Sequence, residues 1–278
     1  MILALLLAMQ GFSPETNAVM DRARREAAEA RKENAKPAPV QGNLPLSPEV
    51  ATKFQACLDA ATGDPEAGIR FANAWRLDGG LFHARQCLGF AYAKVERWPP
   101  AIVAFEQAAD EAERAGDTVS GARLWAQAGN AALAGGDAAK AKTYFDAALA
   151  RGIPPGLERG EVYLDRARTL VALNELGEAR IDLDIALNEA PKDPLAWLLS
   201  ATLARRAGQL GLAQQHIARA VQMSPDDASV ALEEGNIAVL TDHADVARAA
   251  WQRAVRLSAT SPAGKAAADN LARLDAKP

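Results

Sequence analysis

The chain is poor in the residues from which catalytic and metal sites are usually built. Its 278 residues include 3 histidines and 2 cysteines. His83, His216 and His243 lie far apart in sequence and share no short motif. The spacing of two cysteines and three histidines offers no zinc site. Aromatic residues make up only 5% of the chain, so its core has to be made mainly of Ala, Leu and Val. There is no excess of positive charge either. The net charge of −4 argues against a nucleic-acid surface, which usually needs a basic stripe. The apolar run Met1–Met9 is too short to cross a bilayer, so no stable membrane span is expected.

The motifs of common chemistries are missing as well. Gly264-Lys265 resembles the end of a phosphate-binding loop, but Ala259 stands where the upstream glycine is required. No Gly-x-Ser-x-Gly elbow and no His-Glu-x-x-His helix occurs. Asp182 and Asp184 are two apart on a helix, point to different faces and read as a solvated surface. The expectation is a protein without catalytic residues, metal or cofactor.

What the chain does have is a small residue that returns in register. Ala67, Ala101, Ala141, Ala179, Ala213 and Ala247 are each followed four residues later by a bulky apolar side chain. Those are Phe71, Phe105, Phe145, Leu183, Ile217 and Trp251. Three residues further on stand Ala74, Ala108, Ala148, Ala186, Ala220 and Ala254. Counted along the first column, the steps are 34, 40, 38, 34 and 34 residues. Twelve residues before that column lie Gln55, Gly89, Gly129, Ala167, Ala201 and Gly235, five of them small. A period in this range means stacked helix pairs, because one pair cannot bury its apolar face alone. Small residues at a helix crossing allow close approach, and the bulky residue fills the gap beside them.

The stretches Leu88-Gly89…Tyr92…Ala101…Phe105 and Trp125…Gly129…Ala141…Phe145…Pro154 carry the fuller pattern. It resembles the tetratricopeptide repeat, over about residues 48–260. The resemblance implies an all-α, right-handed superhelical solenoid of about six helix-turn-helix units. A C-terminal capping helix over 261–278, with a polar face, closes the array. Gly152-Ile153-Pro154-Pro155-Gly156 marks a longer loop between units. The 40-residue step is absorbed by a longer helix ending near Arg114-Ala115-Gly116.

The N-terminus is separate. Residues 1–18 read either as a secretory signal, with Thr16-Asn17-Ala18 as its cleavage site, or as an apolar N-terminal helix. Residues 19–47 hold a charged stretch, helical or disordered, and the Pro-rich linker Lys36–Pro45. The array opens at Ser47-Pro48, a helix cap followed by Pro at the first helical position. Export to a periplasm is the expectation and a cytoplasmic protein the alternative. Cys57 and Cys87 fall in the first helices of adjacent units. They form a disulfide if the protein is exported, or are two small buried hydrophobes.

In the resembled family the first helices line the concave face. That places Asn130, Leu164, Arg168, Leu198, Thr202, Arg205, Arg206, Leu232 and Asn236 on one surface. Polar side chains there suit an extended peptide backbone, leucines its apolar side chains, and the arginines a carboxylate. The bland alternative is a solvated face with leucines shielding the helix seam. The function expected is a non-catalytic scaffold or adaptor that binds a protein or peptide segment. The alternative is a structural, self-associating or regulatory subunit of a cell-envelope complex, its contacts near Trp251, Leu271 and Leu274.

Overall fold

The structure, a computed structural model, describes residues 46–276. The expectations for residues 1–18 and 19–45 lie outside the described residues. Those described form an all-α repeat array of thirteen helices, with no strand among them. They fall into two compact units, one running to Leu173 and one starting at Asn174. The first holds α1 (Pro48–Gly63), α2 (Pro65–Leu77), α3 (Leu81–Lys94), α4 (Trp98–Arg114), α5 (Thr118–Ala134), α6 (Ala138–Ala150) and α7 (Leu157–Ala172). The second holds α8 (Leu176–Glu189), α9 (Pro194–Arg206), α10 (Leu210–Met223), α11 (Ala228–Leu240), α12 (Ala244–Ser258) and α13 (Pro262–Asp275). Helices α1, α3, α5, α9 and α11 each open a pair and, with α7, are called A helices below; α13 continues the series of the second unit.

Helix starts follow from capping side chains. Ser47 accepts from the Val50 N–H, and Asp64, Asp117, Asp137, Asp193 and Asp227 cap α2, α5, α6, α9 and α11. Each such cap stabilises its helix by about 1 kcal/mol. The turns before α5 and α6 place Gly116 (φ 83°) and Gly136 (φ 84°) in the left-handed region. The next residue then donates back across the turn, Asp117 N to Ala112 O and Asp137 N to Ala132 O, both at 2.9 Å. These bonds satisfy carbonyls that the helix end leaves unpaired. Glu96 (φ 56°) and Asp242 (φ 60°) hold the same place in other turns without glycine.

The small-residue columns set the packing of each pair. Ala101, Ala141, Ala179, Ala213 and Ala247 are all 0% exposed. A Cβ on Gly89 would lie 2.8 Å from the Phe105 ring, and one on Gly129 would lie 2.9 Å from the Phe145 ring. The 40-residue step is taken up by α4 and α5, each 17 residues long, and the 38-residue step by the loop 151–156. Ile153 plugs that loop into the core at 3% exposure.

The first copy of the pattern departs from the expected register. Ala67 and Phe71 are half-buried and Ala74 is exposed, whereas Gly68, Ala72 and Trp75 take the inward positions. The reason is the connection. Asp64 alone joins α1 to α2, whereas residues 95–97, 135–137, 207–209 and 241–243 make the turns of later pairs. A shorter turn rotates the second helix, and Cys57 takes the crossing position expected of Gln55, which is exposed. Asp182 also differs from expectation. It is 2% exposed, so only Asp184 faces solvent.

Two glycines test the packing rule with opposite signs. A Cβ at Gly235 would sit 2.4 Å from Trp251 Nε1, whereas one at Gly211 meets nothing within 4 Å. Gly235→Val is expected to destabilise the chain by roughly 1–3 kcal/mol through overpacking. Gly211→Ala is expected to stabilise it by about 0.5 kcal/mol through helix propensity. Urea denaturation of both variants checks the pair.

Candidate functional site

The A helices carry a series of side-chain bonds to one another. In the first unit the Sγ atoms of Cys57 (α1) and Cys87 (α3) are joined as a disulfide, with a Cα–Cα distance of 6.2 Å. Closing a loop over a separation of 30 residues restricts the unfolded chain by about 3–4 kcal/mol in the chain-entropy account. Gln86 Nε2 (α3) donates to Gln127 Oε1 (α5) at 3.3 Å. Arg123 (α5) grips Glu158 (α7) with Nε at 2.5 Å and Nη2 at 3.1 Å.

The second unit has its own polar chain. Arg205 Nε (α9) donates to Glu233 Oε1 (α11) at 2.6 Å. Asn236 Nδ2 donates to Glu233 Oε2 at 3.2 Å. Asn236 Oδ1 accepts from Trp251 Nε1 at 3.2 Å and from Asn270 Nδ2 (α13) at 3.0 Å. Glu233 is 6% exposed. Its pairing with Arg205 meets the requirement that a buried charge have an opposite charge within bonding distance. Sequence reading missed Glu233 and Asn270 because their partners lie 28 and 34 residues away. Only the repeat register could have brought them to mind.

The nine residues expected on the concave face therefore divide. Leu164 and Leu198 are each 3% exposed and belong to the core, so neither presents an apolar anchor to a ligand. Their column turns into the seam between helices. Arg168 is held by Asp165 at 3.0 Å, with side chains 11% and 5% exposed. Arg205 and Asn236 are spent on the chain of bonds just described. Thr202 is half-buried and its hydroxyl donates to the carbonyl of Leu198 on its own helix. Asn130 in the first unit, and Arg206 and Leu232 in the second, are half-buried and remain. The Arg206 guanidinium has no hydrogen-bond or ion-pair partner among the described residues. Burial pushes its pKa down, and the neighbouring Arg205 adds to that while Glu233 opposes it.

Two of the three histidines sit in packing roles, whereas His243 is exposed. His83 stacks on Phe82 at 3.9 Å between ring centroids and meets the edge of Phe54 at 6.2 Å. His216 Nδ1 shares a hydrogen bond with Ser200 Oγ at 2.6 Å, and Trp197 meets the imidazole edge-on at 5.3 Å. Ser200 is 0% exposed, which removes it as a nucleophile. Burial pushes both histidines below the usual imidazole value. Arg180 adds to this at His216, while Asp184 opposes it; Asp117 opposes it at His83. Among the described residues no group of three or more His, Cys, Asp or Glu is placed to hold a metal ion. No helix among them is long and apolar enough to cross a membrane.

Comparison with known proteins agrees with this architecture. The tetratricopeptide repeat family matches at residues 126–194, 164–228 and 198–262. The chain is similar in fold to PilW, a widely conserved type IV pilus biogenesis factor. That likeness has a TM-score of 0.66 at 20% identity over 79% of this chain and 98% of PilW. PilF of Pseudomonas aeruginosa gives 0.62 at 16% identity over 80% and 99%. YrrB, a tetratricopeptide repeat protein with an unusual peptide-binding site, gives 0.50 at 18% identity over 78% and 97%. At these identities the likeness is one of fold. No curated protein sequence matches the chain.

Two outcomes follow from the buried charges and imidazoles. Arg168→Glu places a second carboxylate beside Asp165 and is expected to destabilise the first unit by about 3 kcal/mol, read from the urea midpoint. The depressed histidines mean that the unfolded chain binds protons first as acid is added. Their contribution is complete above about pH 6.5 and is lost as pH falls through the lower folded values. His216→Gln is expected to flatten the fall in urea midpoint between pH 7.5 and 5, with His83 keeping part of the slope.

Proposed function

The chain is a tetratricopeptide repeat protein, and on that premise we propose that it is a non-catalytic scaffold whose A-helix face receives a segment of another protein. The observation that carries this reading is Arg206. A half-buried guanidinium with no hydrogen-bond or ion-pair partner among the described residues is a group that an incoming carboxylate stabilises. Arg205 beside it is already paired with Glu233. Thr202 is one turn back on α9, and Leu232 supplies half-covered apolar surface on α11. The segment favoured is extended or helical, acidic, and carries an apolar anchor. YrrB, with the same fold, is described as having a peptide-binding site.

The Cys57–Cys87 bond supports export to an oxidising compartment such as a periplasm, where disulfides persist. Residues 1–18 then serve as the signal. Self-association through the C-terminal end is less favoured. Trp251 is 3% exposed beneath α13, and Lys265, Asp269 and Arg273 face outward from that helix.

Panning a random peptide library against the full chain tests the binding reading. Enrichment of acidic peptides with an apolar residue is expected. Arg206→Glu should weaken the best of them at least tenfold, with the fold intact by circular dichroism. Lys265→Glu, on the outer side of α13, should leave affinity unchanged. No enrichment, or equal loss in both variants, overturns the reading. Intact mass of protein from its native host reads export separately, a mature start near Val19 being the expected result.

A further inference from the structure

The first helix is held to the array differently from every later A helix. α1 buries only Cys57 and Ala61, whereas α3 buries six residues and α5 ten. Its larger apolar side chains, Val50, Phe54 and Leu58, are half-covered. The α3–α5, α5–α7, α9–α11 and α11–α13 neighbours are joined by polar side-chain bonds. Among the described residues, side-chain hydrogen bonds of α1 run within its own helix, as from Gln55 to Asp59, or cap it, apart from a long 4.0 Å contact from Cys57 Sγ to Gly68 O. Between α1 and α3 the disulfide takes the place of the polar strut. α2 is packed against α3 as well as against α1, with Ile69, Ala72 and Trp75 in a cluster that includes Ala84, Cys87 and Leu88 of α3.

We infer that the Cys57–Cys87 bond is a redox-dependent latch on α1. Oxidised, α1 is sealed against α3. Reduced, α1 leaves, the rest of the unit stays folded, and an apolar stripe on α3 that includes Ala84, Leu88 and Ala91 is uncovered. The step balances with a dithiol as reductant. One of its thiolates attacks one protein Sγ and breaks the S–S bond to form a mixed disulfide. Its second thiolate displaces that sulfur, the dithiol becomes a disulfide, and both cysteines leave as thiols. Two electrons pass to the protein sulfurs, and the two protons come from the dithiol. Both cysteines are 0% exposed, so the reductant reaches them only after α1 has opened. The latch is slow by construction, and its state records exposure to reductant over many opening events.

Hydrogen exchange by mass spectrometry on the full chain tests this, comparing oxidised protein, protein reduced with dithiothreitol, and the Cys57→Ala/Cys87→Ala variant. The expected result is at least a tenfold loss of protection over residues 48–63 in the latter two, with residues 98–150 unchanged. Thiol release should also level off as dithiothreitol is raised, because opening limits it. Equal protection of 48–63 in all three samples overturns the latch, since the bond would then be incidental. Loss of protection spread through 98–150 overturns it too, since the bond would then hold the whole unit. Thiol release strictly proportional to dithiothreitol means the bond is open to solvent and overturns the slow step.

Discussion

Everything in this array depends on how closely two helix backbones can approach within a pair. Gly89 lies under the Phe105 ring, Gly129 under Phe145 and Gly235 under Trp251, at separations that leave no room for a methyl group. The ring is held by the absence of a side chain opposite it. Flanking alanines at 0% exposure extend the contact along the crossing. Each crossing buries one large side chain, which stabilises by about 1.5–3 kcal/mol relative to exposing it. That is too little to hold a lone pair of helices against the entropy of ordering them. Stacking adds the rest, so the repeat is stable only as part of a series.

The same small residues made most of the fold legible. Five of six copies of the alanine column pack as the spacing predicts, and the stretched steps fall at long helices and at the loop 151–156. The first copy escaped because its register depends on the length of one turn. Ala67–Phe71–Ala74 matches the spacing as well as any other copy, yet Asp64 alone in the turn rotates Gly68, Ala72 and Trp75 inward instead. Periodicity counts residues along a helix and cannot see the angle at which the helix starts.

The proposed binding face was less legible, for a different reason. Position in the repeat says which side of a helix a residue occupies, not what its side chain meets there. Leu164 and Leu198 stand in the inner column and are swallowed by the seam. Arg205 and Asn236 stand there too and are consumed by Glu233, Trp251 and Asn270. Partners a whole repeat away in sequence are set by stacking geometry, which composition does not encode. What survives from the expected set is Asn130 in the first unit, and Arg206 and Leu232 in the second.

The covalent strut at the first pair also shapes how the chain would bear load. A polar strut between neighbouring helices yields when force separates them, whereas a disulfide does not. The 30-residue interval between Cys57 and Cys87 is closed on itself, so tension applied to the chain ends passes through the sulfur bridge and bypasses α2. Fully drawn out, that interval would span about 100 Å. An oxidised chain is therefore shorter by roughly this length when pulled taut, and under tension the helices bridged by Cys57 and Cys87 stay short while the later repeats can pay out.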